Sequence, residues 1–72
     1  MTNSKLLKEK IKGSGLKIGH IAEKLGISYH WLKKKIEGEA AFKACEIQTL
    51  CSVLNITDLQ EKEAIFFALN VE

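Results

Sequence analysis

The sequence predicts an all-α fold, a compact bundle of about five short helices in one domain over residues 1–72. Apolar residues recur at helical spacing, and no segment shows the two-residue alternation of a strand. Four glycines, at positions 13, 15, 26 and 38, separate these periodic segments, and the chain has no proline. A chain of 72 residues can bury only a small core, so we expect modest stability.

The first helix is expected over about residues 4–12, followed by a Gly-Ser-Gly segment that ends it. Asn3 or Ser4 can accept a hydrogen bond from the unpaired amides of the first turn. Leu7 and Ile11 lie four residues apart and form the inward stripe.

The second helix is expected over about residues 18–25, with Ile18, Ile21, Ala22 and Leu25 turned inward. Gly26 is suited to the left-handed conformation that stops a helix. Ile27 anchors the turn, and Ser28 is a good N-cap for a third helix that runs to about Glu37.

The fourth and fifth helices complete the prediction. Phe42 is expected to fill the core from the preceding loop, and the fourth helix spans about residues 44–54. The fifth begins at Thr57 or Asp58, because Asp58 and Glu61 have the spacing of a capping box. The inward stripe of the fourth helix is Ile47, Leu50, Cys51 and Leu54, and that of the fifth is Leu59, Ile65 and Phe66, with Phe67 as a further candidate.

Charge is distributed unevenly along the chain. Residues 1–43 hold ten lysines and four glutamates, a net charge of +6, whereas residues 44–72 hold one lysine and five acids, a net charge of −4. Such polarity suits an anionic partner at one end, although lysines also serve simply to solvate helix surfaces.

Composition argues against several classes of protein. Cys45 and Cys51 on one helix would have Cα atoms about 9 Å apart, farther than a disulfide spans, so we expect free thiols and a cytoplasmic location. No apolar run approaches the length of a membrane helix. No catalytic or phosphate-loop motif is present, so we expect no enzyme activity, cofactor, metal or small-molecule substrate.

One constellation links the second and third helices. Ala22 is small enough for two helix axes to approach closely, Gly26 makes the turn, and Ile27 inserts into the angle between the helices. Leu32 then meets the second helix from the third. This joint spacing predicts two helices that cross steeply, within about residues 17–37.

The segment GLKIGHIAEKLGISYHWLKKKIEGE resembles the helix-turn-helix of Cro/CI-type (XRE family) phage repressors, and EIQTLCSVLNIT is similar to the family's fourth helix. The matching positions are Gly15, Leu16, Ile21, Ala22, Leu25, Gly26, Ile27, Ser28, Leu32, Ile36 and Gly38. The resemblance implies a lambda-repressor-like domain that binds double-stranded DNA. It further implies a phage or prophage regulator, a transcriptional repressor, which inserts its third helix, residues 28–37, in the major groove.

The chain departs from the family pattern at the start of the second helix. Lys17-Ile18 stands where family members often have Thr-Gln, so the helix loses a capping side chain. Gly19 within the helix costs about 1 kcal/mol relative to alanine. Lys35 stands where relatives often have an apolar residue, and we expect its aliphatic stem to lie along the edge of the core.

The outward side of the third helix supplies the candidates for contact with bases. With Leu32 turned inward, a helical wheel at about 100° per residue places a polar ridge on the opposite side. Lysine can donate to guanine, and histidine or serine can donate or accept. The base-contact candidates are Ser28, Tyr29, His30, Lys33 and Lys34.

Contacts with phosphates are expected to dominate affinity. The chain has no arginine and so lacks the commonest bidentate contact with guanine. Lys17 and Lys43 are the phosphate-contact candidates, together with the amides that open the second and fourth helices.

Two aromatic residues keep alternatives open. Tyr29 can pack on the edge of the second helix as well as touch DNA. Trp31 points outward, where it can stack over Lys35, flank the DNA backbone or pack against a second subunit.

The end of the chain suggests a homodimer, because its apolar residues have no clean helical period. Phe66, Phe67 and Leu69 are the candidates for a dimer interface, although the same residues could fold back as core. The alternative function is a protein-interaction module of the same fold, as in antitoxins or anti-repressors.

Overall fold

Five α-helices surround one apolar core in the computed structural model, which describes residues 2–67. They are α1 (Ser4–Ser14), α2 (Ile18–Leu25), α3 (Tyr29–Ile36), α4 (Ala44–Val53) and α5 (Leu59–Phe66). Residues 2–67 contain no strand, which confirms the all-α prediction. None of the helices in this range has both the length and the apolar character needed to cross a membrane.

Every helix contributes to the core. α2 packs against α3 and α4, while α1 packs against α3 and α5. Leu7, Ile21, Leu32 and Leu50 are completely buried, and the Cα radius of gyration is 11.0 Å, as expected for a chain of this length. The remaining buried apolar residues are Ile11, Ala22, Ile36, Ile47, Leu54, Ile56, Ile65 and Phe66.

α1 extends two residues beyond its predicted end. Asn3 Oδ1 accepts a hydrogen bond from the Leu6 amide at 3.2 Å, as expected of an N-cap. Gly13 remains helical, and Gly15 instead takes the left-handed conformation with φ of +76°. The Ser14 hydroxyl bonds to the Ile11 carbonyl at 2.6 Å, and this bond supports the additional turn.

The turn between α2 and α3 has the predicted geometry. Gly26 is left-handed with φ of +74°, and its amide donates to the Glu23 carbonyl. The Ile27 amide donates to the Ala22 carbonyl at 3.1 Å, which completes a Schellman motif. Ser28 Oγ accepts from the Trp31 amide at 3.0 Å and caps α3. This short connection sets the direction of α3.

The start of α5 agrees with the prediction at Asp58 but not at Glu61. Asp58 is its N-cap and accepts from the Gln60 amide at 3.1 Å. Glu61 does not complete the expected capping box, because its carboxylate binds Lys10 Nζ at 3.1 Å instead. The pair joins α5 to α1, so a contact between distant segments displaces the local one.

Lys35 is buried far more deeply than expected. The whole side chain is 2% exposed, and its ammonium bonds to Glu46 Oε1 at 2.5 Å on the neighbouring α4. Lys35 Nζ also lies 5.7 Å from the centre of the Trp31 ring and 6.0 Å from that of Phe42. The expectation of a stem along the core edge is therefore wrong, since the charge itself is inside.

Candidate functional site

The two sides of α3 differ sharply in burial. Leu32 and Ile36 are 0% and 3% exposed and face the core. On the opposite side, Tyr29, His30 and Lys33 are exposed and Lys34 is half-buried. We call these four residues the outer face of α3. Its orientation is the one that the helical period predicts.

A shallow depression of about 490 Å³ joins three side chains of the outer face. His30, Lys33 and Lys34 line it together with two glutamates, Glu37 and Glu39. An anion approaching this depression would therefore meet both lysines and nearby carboxylates.

Glu37 has a cationic partner of its own. Lys8 Nζ on α1 donates to Glu37 Oε1 at 2.8 Å, with both side chains substantially exposed. The hydrogen bond from Lys8, together with the charges of Lys8 and Lys33, holds the pKa of Glu37 below its usual value. Lys8 thus offsets part of the negative charge beside Lys33.

Ser28 and Tyr29 have structural contacts at the start of α3. Ser28 is exposed and its Oγ already accepts the capping hydrogen bond, while its hydroxyl proton can still be donated outward. Tyr29 is 53% exposed. Its Cδ2 would be 4.0 Å from a Cβ placed on Gly19, so the ring lies along the edge of α2 and half of it remains open.

Trp31 is 45% exposed and partly covers the buried charge of Lys35. Of the three alternatives expected from the sequence, the stacking over Lys35 is present in the single chain. The exposed remainder of the indole is still open to a partner, and its contact with DNA or a second subunit stays a prediction.

A groove of about 740 Å³ lies between α1, the first turn of α2 and α3. Four lysines from these three segments form its rim, so we call it the lysine-rimmed groove: Lys8, Lys12, Lys17 and Lys33. Its floor is apolar and consists of Ile11, Leu16, Ile18 and Ile36 with the ring of Tyr29. Gly19, His20 and the carboxylate of Glu37 also line it.

The two phosphate candidates are placed differently. Lys17 is the N-cap of α2, where no side chain caps the helix, and it lies on the rim with Lys33. Lys43 is the exposed N-cap of α4 and does not line the lysine-rimmed groove. Its amide donates to Glu46 Oε1 at 2.8 Å. The groove thus unites Lys17, but not Lys43, with the outer face of α3.

Sequence reasoning missed Lys8 and Lys12 as part of this surface. Both lie on α1, four residues apart on either side of the buried Ile11. Side chains at this spacing share one face of a helix. The spacing places the two lysines together, but only the packing of α1 against α3 brings them to Lys33.

The dimer candidates fall into three situations. Phe66 is 3% exposed and packs edge-on against Phe42, with ring centres 5.7 Å apart. It belongs to the core of the single chain, so it offers no surface to a second copy. Phe67 is 49% exposed and stays a candidate, while Leu69 lies outside the described residues.

The cysteines are both free thiols. Cys45 is exposed at the start of α4, and Cys51 is half-buried against the core. Burial raises the pKa of Cys51, which keeps it protonated near neutral pH. Within residues 2–67, no group of three or more histidine, cysteine or acidic side chains is placed to hold a metal ion.

Comparison of the chain with protein-family models, curated proteins and solved structures finds no match. The placement of residues around α3 is therefore the basis for assigning a function.

Proposed function

We propose that this protein binds double-stranded DNA by inserting α3 in the major groove, and that it acts as a Cro/CI-like transcriptional repressor in the cytoplasm of its host. The observation that carries the proposal is the outer face of α3. It holds Lys33 and His30 in solvent while Leu32 and Ile36 anchor the opposite side in the core. A recognition helix requires this division.

The side chains of α3 can contact both bases and phosphates. Lys33 and Lys34 can donate to guanine O6 and N7 or to phosphates, while His30 and Ser28 can donate or accept at base edges. Lysine is a flexible point charge and lacks the fixed fork of arginine. Modest discrimination between bases follows, with phosphate contacts supplying most of the affinity.

Lys17 supports the proposal from α2. Lys17 and Lys33 both line the lysine-rimmed groove. Lys17 is also the N-cap of α2, a helix whose first amides donate to no capping side chain. The positive end of the helix dipole and unpaired amides favour a phosphate at this position. The short turn after α2 and the five-helix order are consistent with a lambda-repressor-like fold.

Selection of bound sites from random duplexes tests the proposal directly. We expect a recoverable sequence preference, and a palindrome with half-sites about 34 Å apart if the protein acts as a dimer. Failure to enrich any sequence, with no measurable affinity for duplex DNA at low salt, would contradict the proposal.

The Lys33→Ala variant then tests the orientation of α3. Loss of a base or phosphate contact should weaken binding of the selected duplex by about 1–3 kcal/mol, measured by fluorescence anisotropy. Lys5→Ala is the matched control, because Lys5 is an exposed lysine on α1 outside both depressions. Equal losses in the two variants would mean that only the overall charge matters.

The alternative is a protein-interaction module of the same fold, as in antitoxins or anti-repressors. Half-exposed Phe67 is the described residue that favours it, together with a dimer. A purely protein-binding role predicts no salt-dependent affinity for duplex DNA and no effect of Lys33→Ala on it.

A further inference from the structure

We infer that the lysine-rimmed groove is a docking site for an acidic amphipathic helix of a partner protein. Its floor is apolar, formed by Ile11, Leu16 and Ile18 with neighbours from α3. Four lysines and one carboxylate, that of Glu37, also line the groove, so the charge around the floor is net positive. A ligand that fits both features must carry an apolar stripe flanked by carboxylates.

The apolar floor of the groove favours a peptide over nucleic acid as its ligand. The phosphate backbone could satisfy the lysines, but it has no apolar side chains to cover Leu16 and Ile18, which are partly exposed. Leaving this floor in water forgoes the favourable burial of apolar surface. A duplex would thus use the rim, principally Lys17 and Lys33, and leave the floor empty.

A helix fits better than an extended peptide. Extended peptides commonly bind by adding a strand to an exposed sheet edge, and residues 2–67 contain no sheet. A groove between helices instead receives apolar side chains at i, i+3 or i+4, and i+7.

Charge complementarity defines the partner further. Lys8 is already paired with Glu37, while Lys12 and Lys17 are exposed lysines that also line the groove. Carboxylates on the two sides of the partner's apolar stripe would meet these lysines. Such complementarity speeds association and rejects cationic or neutral helices.

Occupation of the groove would exclude DNA, a step that depends on the proposed function. Lys17 and Lys33 cannot meet a phosphate and a partner carboxylate together, and the partner helix would lie directly beside the outer face of α3. An acidic partner of this kind would release the protein from its operator.

The test begins with the protein and a labelled peptide, without DNA. The probe is a helical peptide of about 15 residues with leucines at i, i+4 and i+7 and glutamates beside them. The control peptide has the same composition in an order that removes the stripe. We expect the striped peptide to bind and the control to bind at least about tenfold more weakly. Equal affinity for the two peptides would mean that binding depends only on charge, and this result would overturn the inference.

Two pairs of variants locate the peptide. Gly19→Leu fills the groove, since Tyr29 is the nearest contact at 4.0 Å, and it should abolish binding. Gly13→Leu is its matched control, because Gly13 is helical, open and outside the groove. Lys12→Glu should weaken binding about tenfold and Lys5→Glu should not. Circular dichroism verifies that each variant is folded. Unchanged affinity in Gly19→Leu would overturn the inference.

Two competitors test whether the groove instead binds a lipid-like ligand or duplex DNA. Laurate, a single-chain amphiphile, should not displace the peptide at equal concentration; displacement would identify a lipid-like site instead. A selected duplex should displace the peptide. Peptide binding without DNA binding would contradict the proposed function alone, whereas DNA binding without peptide binding would contradict this inference alone.

Discussion

Lys35 and Glu46 are the buried charged residues in the described part of the chain, and they neutralise each other across α3 and α4. Glu46 is additionally tied to the start of α4 by the Lys43 amide. A buried ion pair adds little net stability compared with apolar packing, because removing both charges from water is costly. Removing one partner is strongly destabilising, because the other charge then stays buried without compensation. The pair therefore acts mainly to fix how α3 sits on α4.

Removal of Lys35 alone should be severe. Lys35→Met leaves the Glu46 carboxylate buried without its cation, which costs about 3–5 kcal/mol. A domain of this size has about 5 kcal/mol in total, so the variant should keep at most about 2 kcal/mol. It should therefore unfold at a much lower urea concentration than the unmodified chain, as followed by circular dichroism.

A double variant provides the control for this prediction. Lys35→Met with Glu46→Gln removes both charges and keeps an acceptor for the Lys43 amide, so it should recover most of the lost stability. The exposed pair offers a second comparison, since Lys8→Met should have a much smaller effect. If Lys35→Met unfolds at the same urea concentration as the unmodified chain, the buried pair does not hold α3 in place.

The same pair makes stability depend on pH. Burial by itself raises the pKa of Glu46, but hydrogen bonds from Lys35 and Lys43 outweigh it and hold the pKa below the usual 4.5. The folded state therefore releases this proton more readily than the unfolded chain. Its contribution is fully present above about pH 4.5 and is lost as the pH falls through the lower folded value.

We therefore expect the free energy of unfolding, measured in urea between pH 7 and pH 3, to fall below about pH 4.5. The double variant, Lys35→Met with Glu46→Gln, should show a shallower fall over the same interval. Parallel pH curves for the two proteins would show that Glu46 is not the group responsible.

The helix termini differ in how well they are capped. The N-cap of α3 is Ser28, whose hydroxyl oxygen accepts a hydrogen bond from the Trp31 amide. The N-cap of α2 is Lys17, which makes no side-chain capping hydrogen bond. A cap is typically worth about 1 kcal/mol. α2 thus gives up local stability at the position where Lys17 joins the rim of the groove.

Adding a capping side chain to α2 should raise the free energy of unfolding, and removing the one on α3 should lower it. Lys17→Ser should stabilise the fold by about 0.5–1 kcal/mol while weakening DNA binding, and Ser28→Ala should destabilise it by about 1 kcal/mol. Thermal unfolding and anisotropy with the selected duplex measure the two effects. If Lys17→Ser left DNA affinity unchanged, Lys17 would not be a phosphate contact.

In the molecule as a whole, positive charge is concentrated in the first part of the chain and negative charge in the second part. The basic first part of the chain supplies α1, α2 and α3, which surround the lysine-rimmed groove. Acidic residues of the second part are partly used within the fold, as Glu46 and Glu61 pair with Lys35 and Lys10. The resulting field favours approach of an anionic partner from the groove side.

This segregation predicts a strong effect of salt. Neutralisation of about six phosphates gives a slope near −5 when the logarithm of affinity is plotted against that of salt concentration. Lys33→Ala, if it removes a phosphate contact, should reduce the slope by about 1. Titration of the selected duplex at several salt concentrations measures both values. A slope near zero would contradict DNA binding through this surface.

The helix order and most helix termini could be predicted from the sequence, because they depend on neighbouring residues. Gly26 and Ser28 act through hydrogen bonds within a few positions, and the inward side of α3 follows from its apolar period. The outer face of α3 was predictable for the same reason.

Contacts between distant side chains could not be predicted from the sequence, because they depend on how the helices pack. The burial of Lys35 depends on Glu46 from α4, and the loss of the expected capping box depends on Lys10 from α1. Phe66 and Phe67 are adjacent and chemically identical, yet packing buries one and exposes the other. The groove forms because α1 lies against α3, a contact between segments whose separation in sequence leaves no local periodic signal.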